Sequence, residues 1–305
     1  MLERVRATDL IVPAAPLIVL LSGGRDSTCL LDVAVTLGAR VRALHVDYGL
    51  RGAASDGDRE HCVALCAALD VELEVVRAGT PSGNVQQWAR GVRYAAAEAL
   101  DPDAPIAAGH TVSDQAETIL YRLATSPGRR ALLGMEARRG RVVRPLLAAE
   151  VTREETAAYC RARGLAWRED ASNIDHVYAR ARVREGLLPA LRAVDARAEA
   201  NVLRTAAVLR EEAAVLDQVV ADVLDGRDDL ERAQLAALPR ALARLVLRRL
   251  AENATGNLCA RAATRLDDVL ALGEGGVLDL GDGARVRISG DRVSVGRTPA
   301  LAPKR

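Results

Sequence analysis

The apolar and polar positions of the first hundred or so residues switch between two periods. Apolar runs of strand length occupy 16–21, 41–47, 71–76 and 105–109. Between them, 27–37, 55–69 and 84–100 carry apolar residues at helical spacing, the last through Val85, Trp88, Ala89, Val92, Ala95 and Ala96. Short β-branched runs that alternate with amphipathic helices predict an α/β fold. Its sheet is parallel with helices on both faces, because parallel strands need crossovers that pack back onto the sheet. In such a sheet ligands bind beyond the carboxyl ends of the strands. Candidate chemistry therefore falls at Ser22–Ser27 after the first strand, His45–Tyr48 after the second and Gly109–Asp114 after the fourth.

After Asp195 the texture changes. Residues 196–272 are rich in Ala, Leu, Arg and Glu, with Val202, Leu203, Ala206 and Leu209 and then Val215, Leu216, Val219, Val220 and Val223 at helical spacing. This predicts a long connecting helix and a small helical bundle. Residues 277–295 read instead as short strands around Gly281-Asp282-Gly283. The expected organisation is a catalytic domain over 1–195 and a smaller, mainly helical region over 196–305, a two-domain count that suits 305 residues.

Composition narrows the class. Five cysteines, an odd number spread along the chain, suggest reduced thiols and a cytoplasmic protein. Cys62 and Cys66 can share a helix face, but neither a second cysteine pair nor a nearby histidine completes a metal site. Met1 to Pro16 lacks the apolar core of a signal peptide, and no run of 18 apolar residues suggests a membrane span. The formal charge of +1 conceals a segregation: residues 1–119 hold 10 Arg against 16 acidic residues, 120–192 hold 15 Arg against 8, and 193–305 balance. A basic flank beside an acidic domain attracts a polyanion while overall charge stays near zero.

The strongest chemical signal is Ser22-Gly-Gly-Arg-Asp-Ser27. A strand that ends in glycines and turns at once into a helix leaves backbone N–H groups pointing one way, at the positive end of the helix. With the hydroxyls of Ser22 and Ser27 they form an anion seat. The only lysine is Lys304. That excludes a Walker A loop, which needs a lysine after its last glycine, and it excludes covalent lysine chemistry. No G-x-G-x-x-G opens a helix, which argues against a nicotinamide-binding Rossmann site. The seat must work through amides, hydroxyls, arginine and a metal ion.

The pattern S-G-G-x-D-S resembles the signature of the PP-loop pyrophosphatases, which split ATP between its α and β phosphates. Further blocks resemble one family among them, the tRNA(Ile)-lysidine synthetases. These are His45-Val-Asp-Tyr-Gly-Leu-Arg51, Gly109-His-Thr-Val-Ser-Asp-Gln-Ala-Glu-Thr118, Leu133-Gly-Met135, Arg144-Pro-Leu-Leu147, Trp167-Arg-Glu-Asp-Ala-Ser-Asn173, and Arg180, Arg184 and Pro189. The resemblance implies an adenine nucleotide alpha hydrolase-like fold and ATP-dependent ligation of lysine to the wobble cytidine of an isoleucine tRNA with a CAU anticodon, through an adenylated cytidine. It implies ATP and Mg²⁺ bound by Ser22, Gly23, Gly24, Arg25, Asp26, Ser27, His45, Gly109 and His110. Asp26, Asp114 and Glu117 become the candidate catalytic residues, with Asp26 and Asp114 as metal ligands and Asp114 as the alternative seat of the lysine amine. Arg144, Asn173, Arg180 and Arg184 become tRNA contacts. The implied partners are that tRNA and free lysine; the oligomeric state stays open, a homodimer being one option.

The chain departs from the family pattern at Tyr48 and Ser113, where the family carries His and Asp. It departs more seriously at Ala124-Thr-Ser-Pro-Gly128, where the family carries R-G-S-G; Arg129 or Arg130 is the candidate replacement cation. A thiolase-type PP-loop enzyme is the nearest alternative, but its usual C-x-x-C pair is absent. A tRNA-binding relative with impaired turnover is the other.

Overall fold

Alternate residues of the first strand face opposite sides, and both sides are dry. The computed structural model describes residues 1–49, 52–81, 83–126, 128–168 and 179–299. It divides into two compact units, Met1–Leu209 and Arg210–Arg305.

In the first unit a short helix, α1 (Leu2–Arg6), precedes the strand–helix alternation β1 (Pro16–Leu20), α2 (Arg25–Thr36), β2 (Arg40–Asp47), α3 (Ala53–Ala68), β3 (Glu72–Arg77), α4 (Val85–Leu100) and β4 (Ile106–Ala107). Leu17, Val19 and Leu21 pack with Leu30, Leu31 and Val33 of α2 and Cys62 and Leu65 of α3. Ile18 and Leu20 pack with Leu44, Val46 and Ala97 on the opposite face, with Val92 and Leu100 of α4 against them. Period-two burial on both faces is the signature of a central parallel strand.

The sheet runs β3-β2-β1-β4-β6-β5, the last two strands being β5 (Arg138–Arg139) and β6 (Val142–Val143). β1 pairs in parallel with β2 (Ile18 opposite Arg42) and with β4 (Ile18 opposite Ile106), and only β5 is antiparallel to its neighbour. The chain winds outward from β1 to β3 and then returns to the other side of β1. Loops leaving β1 and β4 therefore diverge, which opens a crevice at their carboxyl ends. The parallel sheet with helices on both faces, predicted from patterning, is borne out; the two-residue strands β5 and β6 are too short to show a period.

The unit is completed by α5 (Val112–Thr125), α6 (Arg129–Leu132), α7 (Pro145–Ala148), α8 (Arg153–Ala162) and α9 (Ala179–Arg182), a π-helical turn at Val183–Leu187, α10 (Leu188–Val194) and the first part of α11 (Ala198–Leu224). Helix α8 lies along α2. Tyr159 Oη donates to Asp32 Oδ2 at 2.6 Å, and Arg163 Nε donates to the same oxygen at 3.0 Å. Residues 153, 156 and 160 of α8 and Arg163 at its C-cap form one stripe, so this packing carries Arg153 and Thr156 to the first turn of α2.

The second unit begins within α11, the long helix that the spacing predicts. β7 (Asp229–Glu231), α12 (Arg232–Ala237), α13 (Arg240–Thr255), α14 (Leu266–Ala271), β8 (Val277–Gly281), β9 (Ala284–Ser289) and β10 (Arg292–Arg297) follow. The strands form an antiparallel sheet, β7-β10-β9-β8, whose buried Ala284, Val286, Ile288 and Val293 meet Val246, Leu247 and Leu250 of α13. Among the described residues no helix is long and apolar enough to cross a membrane.

Candidate active site

Two glycines let the phosphate loop form. Gly23 has φ +80°, in the left-handed region that favours glycine, and a Cβ there would lie 3.2 Å from Cys62 Sγ. Gly24 caps α2 with extended backbone, and Asp26 stands in the first turn. The loop is cross-tied by its serines. Ser22 N–H donates to Ser27 Oγ (3.2 Å), the two hydroxyls lie 3.0 Å apart, and Ser27 Oγ donates to Gly24 O (2.8 Å). On the β4 side a Cβ on Gly109 would come within 2.9 Å of Asp26 O and 3.0 Å of Ser27 N, so the backbone leaving β4 runs against the turn that holds the loop.

Two blocks from distant parts of the sequence complete the loop's surroundings. His45 at the end of β2 is buried, and its Nδ1 lies 2.9 Å from Leu21 O. A carbonyl only accepts, so Nδ1 carries the proton. Arg168 N–H donates to Gly23 O at 2.9 Å, and its side chain pairs with Asp58, which seats the Trp167-Arg168 segment on the loop.

The three candidate catalytic carboxylates converge on one guanidinium. Arg153 Nη2 donates to Asp114 Oδ1 (2.7 Å) and Nη1 to Glu117 Oε1 (3.0 Å), while Nε lies 3.7 Å from Asp26 Oδ2. Asp26 Oδ1 also accepts from Thr156 Oγ1 and from Arg25 Nε. Glu117, 3% exposed, accepts from Arg184 as a fork, Nε to Oε1 at 2.7 Å and Nη2 to Oε2 at 2.9 Å. Asp114 Oδ2 caps α5, accepting from Thr111 N–H (2.8 Å) and Thr111 Oγ1 (2.9 Å). Burial works against the charge of Arg153, but Asp114, Glu117 and Asp26 outweigh it and hold its pKa up.

This geometry bears on each expected role. Asp26, with a side chain 18% exposed, suits a magnesium ion that keeps its waters and takes its other ligands from phosphate. Both oxygens of Asp114 are already engaged by donors, and among the described residues no group of three or more acidic, cysteine or histidine side chains gathers as a metal site. The cation that Asp114 holds is the guanidinium of Arg153. Arg144, expected at the tRNA surface, is instead 4% exposed and donates through Nη1 to Glu136 O at 2.7 Å, so it braces the turn before α7. Arg184 is committed to Glu117. Arg180 is exposed, its guanidinium 6.0 Å from the Tyr121 ring centroid. Asn173, Arg51 and Pro127 lie outside the described residues.

A cationic neighbourhood adjoins the crevice. Burial lowers the pKa of Arg122, and Arg180, Arg139 and Arg90 lower it further. His110 is pushed down to about 4, first by burial, with Asp114 opposing and Arg144, Arg180 and Arg93 reinforcing; its buried Nδ1 has no partner among the described residues. Gln115 clamps the Leu133–Met135 block, accepting from Met135 N–H (2.6 Å) and donating to Met135 O (2.9 Å) against Gly134. Cys62 and Cys66 are buried, and burial pushes their thiols up to about 12 and about 11, which suits core packing. Sequence reasoning missed Arg153, Thr156 and the role of Arg168. The one local cue at Arg153 was the capping box Thr152–Glu155, which marks a helix start and no chemistry.

Comparison with known proteins finds relatives of this chain. A PP-loop domain family, ATP_bind_3, matches residues 4–191. A tRNA(Ile)-lysidine synthase of Thermobifida fusca is 38% identical over 276 residues, covering 86% of this chain and 83% of that protein. One from Pseudomonas fluorescens is 41% identical over 209 residues, covering 65% of this chain and 47% of the relative. The chain thus spans about half the length of several curated relatives that it matches, 57% in the case of Pseudomonas putida. Among solved structures, the U34-tRNA thiolase NcsA from Methanococcus maripaludis has a TM-score of 0.57 at 17% identity, covering 69% of this chain and 77% of that one, a likeness of fold.

Proposed function

The chain belongs to the PP-loop family of tRNA(Ile)-lysidine synthases, and from that premise we propose that it ligates lysine to the wobble cytidine of an isoleucine tRNA at the expense of ATP. One observation carries the reading: the phosphate-loop carboxylate Asp26 and the pair Asp114–Glu117 share a single guanidinium, with contacts of 3.7, 2.7 and 3.0 Å. In this reading a nucleotide site lies next to a site for a primary amine, as adenylation followed by amine attack requires.

In this reading the triphosphate lies along Ser22–Ser27, where loop amides and the α2 N-terminus take up charge on the departing pyrophosphate. Asp26 would hold a magnesium ion brought in with the nucleotide, which supplies further charge neutralisation there. The cytidine carbonyl oxygen attacks the α-phosphorus and the α–β bond breaks. Asp114 and Glu117 bind the lysine ε-ammonium and take up its proton as the amine attacks the activated ring carbon. The carbon–oxygen bond to AMP then breaks. Positioning is most of the catalysis. The exposed Arg180 and the arginines around Arg122 support docking of the polyanion on this side of the unit. The five cysteines, all free and buried, support a reducing, cytoplasmic setting for it.

The test is release of pyrophosphate and AMP from ATP with CAU-anticodon tRNA and lysine present or omitted. Wild type should release AMP stoichiometrically only with both, and Asp26→Ala should lose adenylation by about 10²-fold or more. Turnover of Asp26→Ala within a few-fold of wild type would remove the phosphate loop from the reaction.

A further inference from the structure

Every oxygen of the carboxylates assigned to lysine already accepts from a donor of this chain. Asp114 Oδ2 is spent on Thr111, and Asp114 Oδ1 on Arg153. Glu117 Oε2 is taken by Arg184, and Oε1 by Arg184 and Arg153 together. Of about four acceptor directions on each carboxylate, three are filled, one of them by Arg153, and the two negative charges are already matched by the guanidinium groups of Arg153 and Arg184. An incoming ammonium of the same charge cannot share that seat, since two cations in contact repel and one of them would go unpaired in a part-buried site.

Arg153 has somewhere else to go. Its Nε already lies 3.7 Å from Asp26 Oδ2, in the first turn of the helix whose N-terminus forms the anion seat. A triphosphate there offers oxygens that match the guanidinium fork and, like the Asp114–Glu117 pair, a multiple negative charge. We propose that Arg153 is a placeholder for the lysine ammonium: it occupies the Asp114–Glu117 pair until ATP binds, then turns to the phosphates and vacates the pair, so that lysine binds after nucleotide. This rests on the reading that Asp114 and Glu117 receive lysine. The device keeps three clustered carboxylates neutralised in the empty enzyme and stops lysine from occupying the site before an activated base can form.

Lysine binding to the full chain, measured by equilibrium dialysis with radiolabelled lysine, tests this. The conditions are no nucleotide and saturating Mg²⁺ with α,β-methylene-ATP, an analogue that cannot be split at the α–β position. Wild type should bind lysine about tenfold or more tightly with the analogue, and by linkage lysine should tighten analogue binding by the same factor. Arg153→Ala should bind lysine without nucleotide as tightly as wild type does with it, and Arg153→Lys, which restores a cation, should recover part of the dependence. Nucleotide-independent lysine affinity in wild type overturns the proposal, whatever the variants do, as does undiminished coupling in Arg153→Ala. Asp114→Asn and Glu117→Gln separate the two readings. If both bind lysine like wild type, the seat itself is wrongly assigned; if they lose lysine while wild type shows no coupling, the placeholder alone fails.

Discussion

Gly109→Ala is the substitution for which the structure gives the sharpest expectation. The added Cβ would sit 2.9 Å from Asp26 O and 3.0 Å from both Asp26 C and Ser27 N, all backbone atoms of the turn that holds the phosphate loop. Ordinary carbon contacts begin near 3.4 Å, so about 0.5 Å must be found by moving β4 away from α2. Neither side yields easily, since β1 pairs with β4 and α8 grips α2 through Asp32. Overpacking of this kind costs about 1–3 kcal/mol. At about 2–4 °C per kcal/mol for a unit of this size, the calorimetric Tm should fall by about 2–12 °C. A displacement of half an ångström between the loop and the crevice should also slow adenylation by about tenfold, on the scale at which 1 Å costs about 10²-fold. Gly91→Ala is the control. It lies inside α4 with nothing within 4 Å of the place its methyl would take, and it should raise stability by up to about 1 kcal/mol through helix propensity. A Gly109→Ala protein that melts and turns over like wild type would refute the account of how β4 meets the loop.

Glu117→Gln removes the charge facing Arg153 and Arg184 at a side chain only 4% exposed. With Arg184 partly solvated, destabilisation should be about 2–3 kcal/mol, below that of a fully buried pair, read from urea unfolding; an unchanged midpoint would mean that the cluster is not a structural knot. His110 titrates near 4 in the folded chain against an ordinary 6.5. The unfolded chain therefore takes up its proton first, and stability present above about pH 6.5 is lost as pH falls toward 4. His110→Asn should lack that component, so the Tm difference between the two proteins should change with pH between 6.5 and 4; a constant difference would contradict the burial of a neutral imidazole.

The parts of the fold that were legible share a cause. β1 to β4 and their crossover helices have runs long enough to display a period, and burial on both faces makes the strands uniformly apolar, as in Leu17–Leu21. β5, β6 and β7 have two or three residues each and show none. In the site, Ser22–Ser27 and Gly109 were legible because a strand-to-helix turn dictates its own glycines and hydroxyls. Asp114 and Glu117 were legible as a pair because i and i+3 share a helix face. Arg153 was not, because it reaches Asp26 only when α8 packs on α2 through Asp32, Tyr159 and Arg163, a contact between residues more than 120 positions apart. Arg144 misled for a related reason. The resemblance made it a tRNA contact, whereas it stands between Val143 and Pro145-Leu-Leu147 and is buried to satisfy Glu136 O at the turn into α7.

Nucleoside mass spectrometry shows whether a crevice between β1 and β4 activates a tRNA base and hands it to lysine. Isoleucine tRNA with a CAU anticodon would be incubated with the protein, ATP and lysine, then digested. One new nucleoside is expected, heavier than cytidine by a lysine less a water, derived from the wobble position and absent when that base is uridine. An unmodified cytidine with ATP consumed, or a sulfur-bearing nucleoside in its place, would contradict it.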